Sequence, residues 1–143
     1  MIVVVEDDPF PRLLQVILDP AAPAARIAAF SHFFAHELPD FSGWCERLRT
    51  QLKRLHPAEV RLVPDQAALL AAMPGATVVV AESLAVGRRE IAAAGGALRV
   101  VHKYGTVLSN IDLAACRRAR VRVLTVRRRA NISCAEHALA LML

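Results

Sequence analysis

The stretch that most constrains this chain is its last third, LRVVHKYGTVLSNIDLAACRRARVRVLTVRRRANISCAEHALALML, from Leu98 to Leu143. Two short β-branched runs, Leu98–His102 and Val121–Val126, flank a glycine-containing loop and a helix-forming segment. A second helix opens at Asn131–Ser133 and is apolar on every side. Strand, loop, helix, strand, loop, helix is the grammar of a parallel sheet, whose ligands sit at the carboxyl ends of the strands. Both loops of this stretch fall there.

The upstream chain repeats the alternation. Ile2–Val5 reads as a buried strand, Glu59–Val63 as a second and Thr77–Ala81 as a third. Val78–Val80 is apolar without alternation, as expected of a strand covered on both faces. Helices are expected at Ala24–Leu38, Trp44–Leu55, Gln66–Met73 and Arg88–Ala94, the last closed by Gly95-Gly96. The expected fold class is α/β: a flavodoxin-like, doubly wound, five-stranded parallel sheet of order 2-1-3-4-5. Residues 7–42 form a helical insertion after the first strand. At 143 residues the whole chain, 1–143, is one domain with a real core.

Composition narrows the function classes. No apolar run reaches the roughly 18 residues that span a bilayer. The start, MIVVVEDDPF, turns acidic without a basic leader. Cys45, Cys116 and Cys134 are odd in number and without a CxxC, so neither a disulfide framework nor a zinc site is indicated. The expectation is a cytoplasmic protein without membrane contact. The net charge of +5 is uneven, with nine Lys/Arg against eleven Asp/Glu in residues 1–97 and nine against two in 98–143. The basic residues cluster at a helix end (Arg117, Arg118, Arg120, Arg122), where they complement the helix dipole, and in the loop Arg127–Arg129. Tyr104 is the sole aromatic beside them, so no stacking platform for nucleic acid is present and none is expected to bind.

Two motifs invite chemistry and fall short of it. VVVEDDPF resembles the opening of a response-regulator receiver domain, but no later strand ends in the required phosphoacceptor context. The expectation for Glu6–Asp8 is a solvated turn. His32 and His36 have the i, i+4 spacing of two metal ligands, yet Phe33 stands where a zinc protease needs Glu, and a third ligand is missing. No metal site is expected.

Lys103 opens a loop at a strand's carboxyl end, and Gly105 lets that loop turn with its N–H groups facing outward. A cation with converging N–H donors suits a small carboxylate; an ordinary glycine turn with a surface lysine is the plainer alternative. Asp112 is placed to cap its helix, and Ser133 with Glu136 matches a capping box.

Lys103-Tyr104-Gly105-Thr106, Asn110-Ile111-Asp112-Leu113-Ala114-Ala115, Val121–Val126, Asn131, Ser133 and Ala135-Glu136-His137 together resemble the end of the substrate-binding, or "catalytic", domain of the D-isomer-specific 2-hydroxyacid dehydrogenases, the family that includes phosphoglycerate dehydrogenase. The resemblance covers about a third of the chain. It implies that Lys103 and the backbone of Tyr104, Gly105 and Thr106 bind the carboxylate of a small 2-hydroxy or 2-keto acid. Arg129 and Asn131 would line the cofactor cleft, or belong to a solvated basic loop. Val107 stands where the family usually has a second glycine and Ser109 where an Asp is common, so Val107 threatens strain at a position wanting positive φ.

Full-length members use NAD or NADP. This chain has no GxGxxG, so it should bind neither alone, and no catalytic residue is expected in it. The expected function is the substrate-binding part of an NAD(P)-dependent oxidoreductase on D-2-hydroxy acids, ending in the interdomain helix. It should be truncated and inactive unless a nucleotide-binding domain or partner chain supplies the rest. A standalone small-molecule-binding or regulatory module, or a receiver-like domain, are the alternatives.

Overall fold

The computed structural model describes the backbone of residues 1–127 and 130–142, and their side chains outside 130–135. The elements in order are β1 (Ile2–Glu6), α1 (Leu13–Leu18), α2 (Ala24–Phe33), α3 (Phe41–Gln51), β2 (Glu59–Val63), α4 (Gln66–Ala72), β3 (Val78–Ala81), α5 (Arg88–Ala93), β4 (Val100–Lys103), α6 (Leu113–Arg118), β5 (Arg122–Thr125) and α7 (Ala130–Met142). The strands form one parallel sheet of order β2-β1-β3-β4-β5, as the alternation predicts.

Period-two patterning splits the valines between two cores. Val4, Val79, Ala81 and Val101 face α4, α5 and α6, meeting Leu69, Met73, Ala94 and Cys116. Val3, Val5, Val60 and Val80 face the other way, onto Val16, Ile17 and Leu18 of α1 and Phe41 and Cys45 of α3. The helical segment after β1 is present, and α1 belongs to the core. Helix α2 buries no residue fully; its aromatic rings stack outside Phe41.

Boundaries move where caps decide them. The Asp40 carboxylate accepts the Gly43 N–H at 2.9 Å, so α3 begins three residues before the expected Trp44. Phe41 and Cys45 are its fully buried residues, Trp44, Leu48 and Leu52 pack against the same core, and Leu55, the expected helix end, lies beyond Gln51 and is exposed. Helix α2 stops at Phe33 rather than Leu38: Phe34 is its C-cap, at φ −92° and ψ 6°, and residues 34–37 are turn. His32 is exposed on α2 and His36 lies beyond its end, so the pair shares no helix face. No cluster of three metal-ligating side chains occurs among the described residues. Gly95 and Gly96, both at positive φ, close α5 as expected. Helix α7 runs over Ala130–Met142, so the backbone of Ser133 lies inside it; the side chain of Ser133, and with it the expected Ser133–Glu136 capping box, lies outside the described residues. Among the described residues no helix is long and apolar enough to cross a membrane.

Candidate functional site

The carboxyl edge of the sheet is where the chemistry-bearing loops meet. Register places Ala81 of β3 beside Lys103 of β4, so residues 82–84 and 104–106 leave the sheet as neighbours. Glu6 ends β1 on the other side of β3.

Glu6 corrects the expectation of a solvated turn. Its carboxylate accepts the backbone N–H groups of Glu82 at 2.6 Å, Ser83 at 2.8 Å and Leu84 at 3.0 Å, together with the Ser83 hydroxyl. Burial alone would raise this carboxyl's pKa. The Ser83 hydroxyl and the three N–H donors outweigh it and hold the pKa below the usual value. Asp7 pairs with Arg12 at 2.5 Å, and Asp8 accepts the Phe10 N–H. β3 is followed directly by Glu82 and β4 by Tyr104, so neither strand ends on an aspartate, which leaves the receiver-like alternative without its acceptor.

Lys103 is the last residue of β4 and lies on the α4–α6 side of the sheet, only 8% exposed. Its ammonium donates to the Glu82 carbonyl. The Asn110 amide donates to the same carbonyl at 3.2 Å and to the Leu84 carbonyl at 2.7 Å. The Asn110 Oδ1 is buried and has no hydrogen-bond partner among the described residues. Loop 82–86 is thus held by Glu6 through its N–H groups and by Lys103 and Asn110 through its carbonyls. Gln66 also fixes it, donating to the Ala85 carbonyl and accepting the Ala85 N–H.

The loop after β4 turns as its sequence predicts, with Gly105 at φ 147°. Its N–H groups do not all face outward, however. The Tyr104 N–H donates to the Ala81 carbonyl at 2.8 Å and the Gly105 N–H to the Lys103 carbonyl at 2.9 Å. The Thr106 N–H has no partner among the described residues. Arg120 is the one non-glycine residue at positive φ among those described, so Val107 is accommodated without the feared strain. Asp112 caps α6 as expected, accepting the Ala115 N–H at 2.8 Å.

Tyr104 and His102 project to the opposite face from Lys103. There they line an apolar cleft of about 300 Å³ with Phe10, Leu14, Val80 and Val126. Burial in this setting lowers the pKa of the His102 imidazole. Lys103, Tyr104, Gly105 and Thr106 therefore stand together at the sheet edge. Arg129 lies outside the described residues, and Asn131 is placed only as backbone near the start of α7. Sequence reasoning missed Glu6 and Asn110 as organisers of the edge. The signal for Glu6 was its position, the first acidic residue closing a buried run.

Residues 41–140 match the family model of the D-isomer specific 2-hydroxyacid dehydrogenase catalytic domain. The chain belongs to this family. Among its relatives are the D-3-phosphoglycerate dehydrogenases of Mycobacterium leprae and Mycobacterium tuberculosis, each 39% identical over 87 residues. Those alignments cover 59% of this chain and 16% of each relative, so the chain matches about a sixth of their length. The fold is shared with a pyruvate reductase of Chlamydomonas reinhardtii (TM-score 0.55, 18% identity, 99% of this chain and 33% of that one). It is shared too with an NAD+-bound 3-phosphoglycerate dehydrogenase from Entamoeba histolytica (TM-score 0.50, 18% identity, 87% and 32%). The α/β sheet of order 2-1-3-4-5 is thus that of a 2-hydroxyacid dehydrogenase domain.

Proposed function

We propose that residues 1–143 are the substrate-binding domain of an NAD(P)-dependent oxidoreductase that interconverts D-2-hydroxy acids and 2-keto acids. The observation that carries the reading is the loop Lys103–Thr106. It leaves a central strand at the sheet's ligand-bearing edge, within the segment that matches the family. The substrate carboxylate sits at the Tyr104–Thr106 backbone, with the Thr106 N–H as its donor. Lys103 acts from below, because its ammonium is committed to the Glu82 carbonyl and shapes the neighbouring loop.

The described residues do not fit a dinucleotide. The turn after β1 is Glu6-Asp7-Asp8-Pro9, which offers a pyrophosphate negative charge instead of a glycine-rich cradle at a helix N-terminus. Hydride transfer therefore belongs to a nucleotide-binding domain or partner chain carrying GxGxxG, with Arg129 and Asn131 assigned to the cleft between the two. A cytoplasmic setting accompanies this reading, in keeping with the free, buried thiols of Cys45 and Cys116.

The test is an NMR titration of this chain with D-lactate and pyruvate, following the amides of residues 103–106. Saturable shifts at millimolar ligand are expected, while NADH mixed with pyruvate and this chain alone is not oxidised. Amides that stay still at millimolar acid would remove the carboxylate role.

A further inference from the structure

The arginines of the molecule divide into two sets. Arg12, Arg47, Arg49 and Arg61 each pair with a carboxylate. Arg88 and Arg89 on α5, Arg117 and Arg118 on α6, and Arg120 and Arg122 after it are all exposed. None of these six has an ion pair or a side-chain hydrogen bond among the described residues. Residues 88–127 hold only the acids Glu90 and Asp112, and both are consumed locally. Glu90 is 7% exposed and accepts the Gly87 N–H and the Gln66 amide, while Asp112 caps α6. Complementing the helix dipole accounts for Arg117 and Arg118, in the last turn of α6. It does not account for Arg88 and Arg89, the first two residues of α5, where the dipole favours acids.

Between α5 and α6 runs a groove of about 600 Å³, lined by Ile91, Ala92, Ala115 and Ala119 together with Arg88 and Arg118. The two helices run side by side under one face of the sheet, and the Val86–Ile111 bridge sets their starts level, each two residues further on. Arg88 therefore stands at the head of one wall. Arg118 stands five residues down the other, about 7–8 Å along by helical rise. With packed helices 8–10 Å apart, the two backbones are offset by about 12 Å. That is about the rise between helical residues seven or eight apart, two turns. A nucleic-acid backbone would answer the arginines but leave the apolar lining against sugar and phosphate. A short helix with an acid at each end of an apolar stripe answers both, its carboxylates taking the planar donor forks of the two guanidinium groups.

We propose that the α5–α6 groove is a docking site for an acidic amphipathic helix of another protein, with carboxylates two turns apart on Arg88 and Arg118 and apolar side chains between them on Ile91, Ala92 and Ala119. The proposal is independent of the reading given to the sheet edge.

Fluorescence anisotropy on the full chain tests it. The probe is a labelled synthetic helical peptide of about twelve residues, with glutamates two turns apart and leucine and alanine between them. Two control peptides carry glutamine for glutamate or serine for leucine, and a labelled DNA duplex of similar length is the third control. The acidic peptide is expected to bind at least about tenfold more tightly than either control peptide, and more tightly than the duplex. Salt at about 0.5 M should weaken it severalfold by screening. Arg88→Glu combined with Arg118→Glu should weaken it at least about tenfold, and Arg54→Glu, beyond α3 on the opposite face, less than twofold. Should the double reversal unfold the chain, Arg88→Gln with Arg118→Gln replaces it, with a loss of about fivefold expected. No binding of the acidic peptide at millimolar concentration overturns the proposal, and so does a control peptide that binds as tightly. A duplex that binds more tightly than the acidic peptide, and is lost in the same double variant, overturns it in favour of a nucleic-acid surface.

Discussion

The two faces of the sheet are finished to different degrees. Under α4, α5 and α6, cover runs from β1 across β3 and β4 to Val121 and to Val123 of β5, and Val4, Val79 and Val101 are wholly buried. On the opposite face α1 and α3 cover β2, β1 and β3, and cover thins at β4. His102 is half-buried there, Leu124 is 46% exposed, and Arg122 and Val126 are exposed. A parallel sheet gains most of its stability from having helices on both faces. The difference teaches that buried cover reaches β5 on one face only, while the loop after β4 hangs from the strand where the other layer runs out.

The sharpest way to break this comparison is to cut equal volumes from the two faces. Leu69→Ala empties a site that is 1% exposed on α4 and should cost 2–5 kcal/mol, roughly the range for a buried leucine. Leu124→Ala, on the thinly covered face, should cost no more than about 0.5 kcal/mol. Urea unfolding of both variants measures the contrast. Equal losses would mean that Leu124 is covered in solution and that the faces are alike.

A middle-sized effect separates the helices that lie on those faces. Asp112 caps α6 through the Ala115 N–H, whereas α2 starts at Pro23 with no side-chain cap. Asp112→Ala should lower stability by about 1 kcal/mol, read as a shift in denaturation midpoint at constant slope. Phe33→Ala, on α2 and 62% exposed, should shift it by less than about 0.5 kcal/mol. A larger loss at Phe33 would show that α2 is better seated than its exposure suggests.

Much of this architecture was legible in the residues. The unbroken runs Ile2–Val5 and Val78–Val80, each followed at short range by a helical stripe, imply a two-faced parallel sheet, because a strand apolar at every position must be covered twice. Gly95-Gly96 and Asp112 announced their caps, since their chemistry is local. The start of α3 was not legible, because Asp40 sits in a Pro-Asp-Phe-Ser-Gly run that reads equally as a turn. At the site, the glycine turn at 105 was readable from one residue type. The inward commitment of Lys103 and the Tyr104 N–H was not, because their partners, Glu82 and Ala81, are more than twenty residues away. Glu6 was hidden for the same reason: its donors lie 76 to 78 residues along the chain, joined to it only by sheet pairing.

The smallest effect tests where cover thins, through His102. Burial lowers the pKa of this imidazole below its ordinary 6.5, so the folded chain resists protonation more than the unfolded chain does. As pH falls from 6.5 toward the folded value, the unfolded state takes up the proton first and stability drops. Above 6.5 both states are neutral and the contribution is complete. Glu6 acts in a lower window. Its folded pKa is depressed, so its contribution is present above 4.5 and is lost as pH falls through the folded value. A His102→Leu variant should therefore flatten the stability profile just below pH 6.5 and leave the more acid limb in place, as equilibrium unfolding at stepped pH would record. Should the upper slope survive in His102→Leu, His102 would be as well hydrated as in the unfolded chain. The face at β4 would then be open to water, and the contrast between the two layers would be greater than the burial of His102 implies.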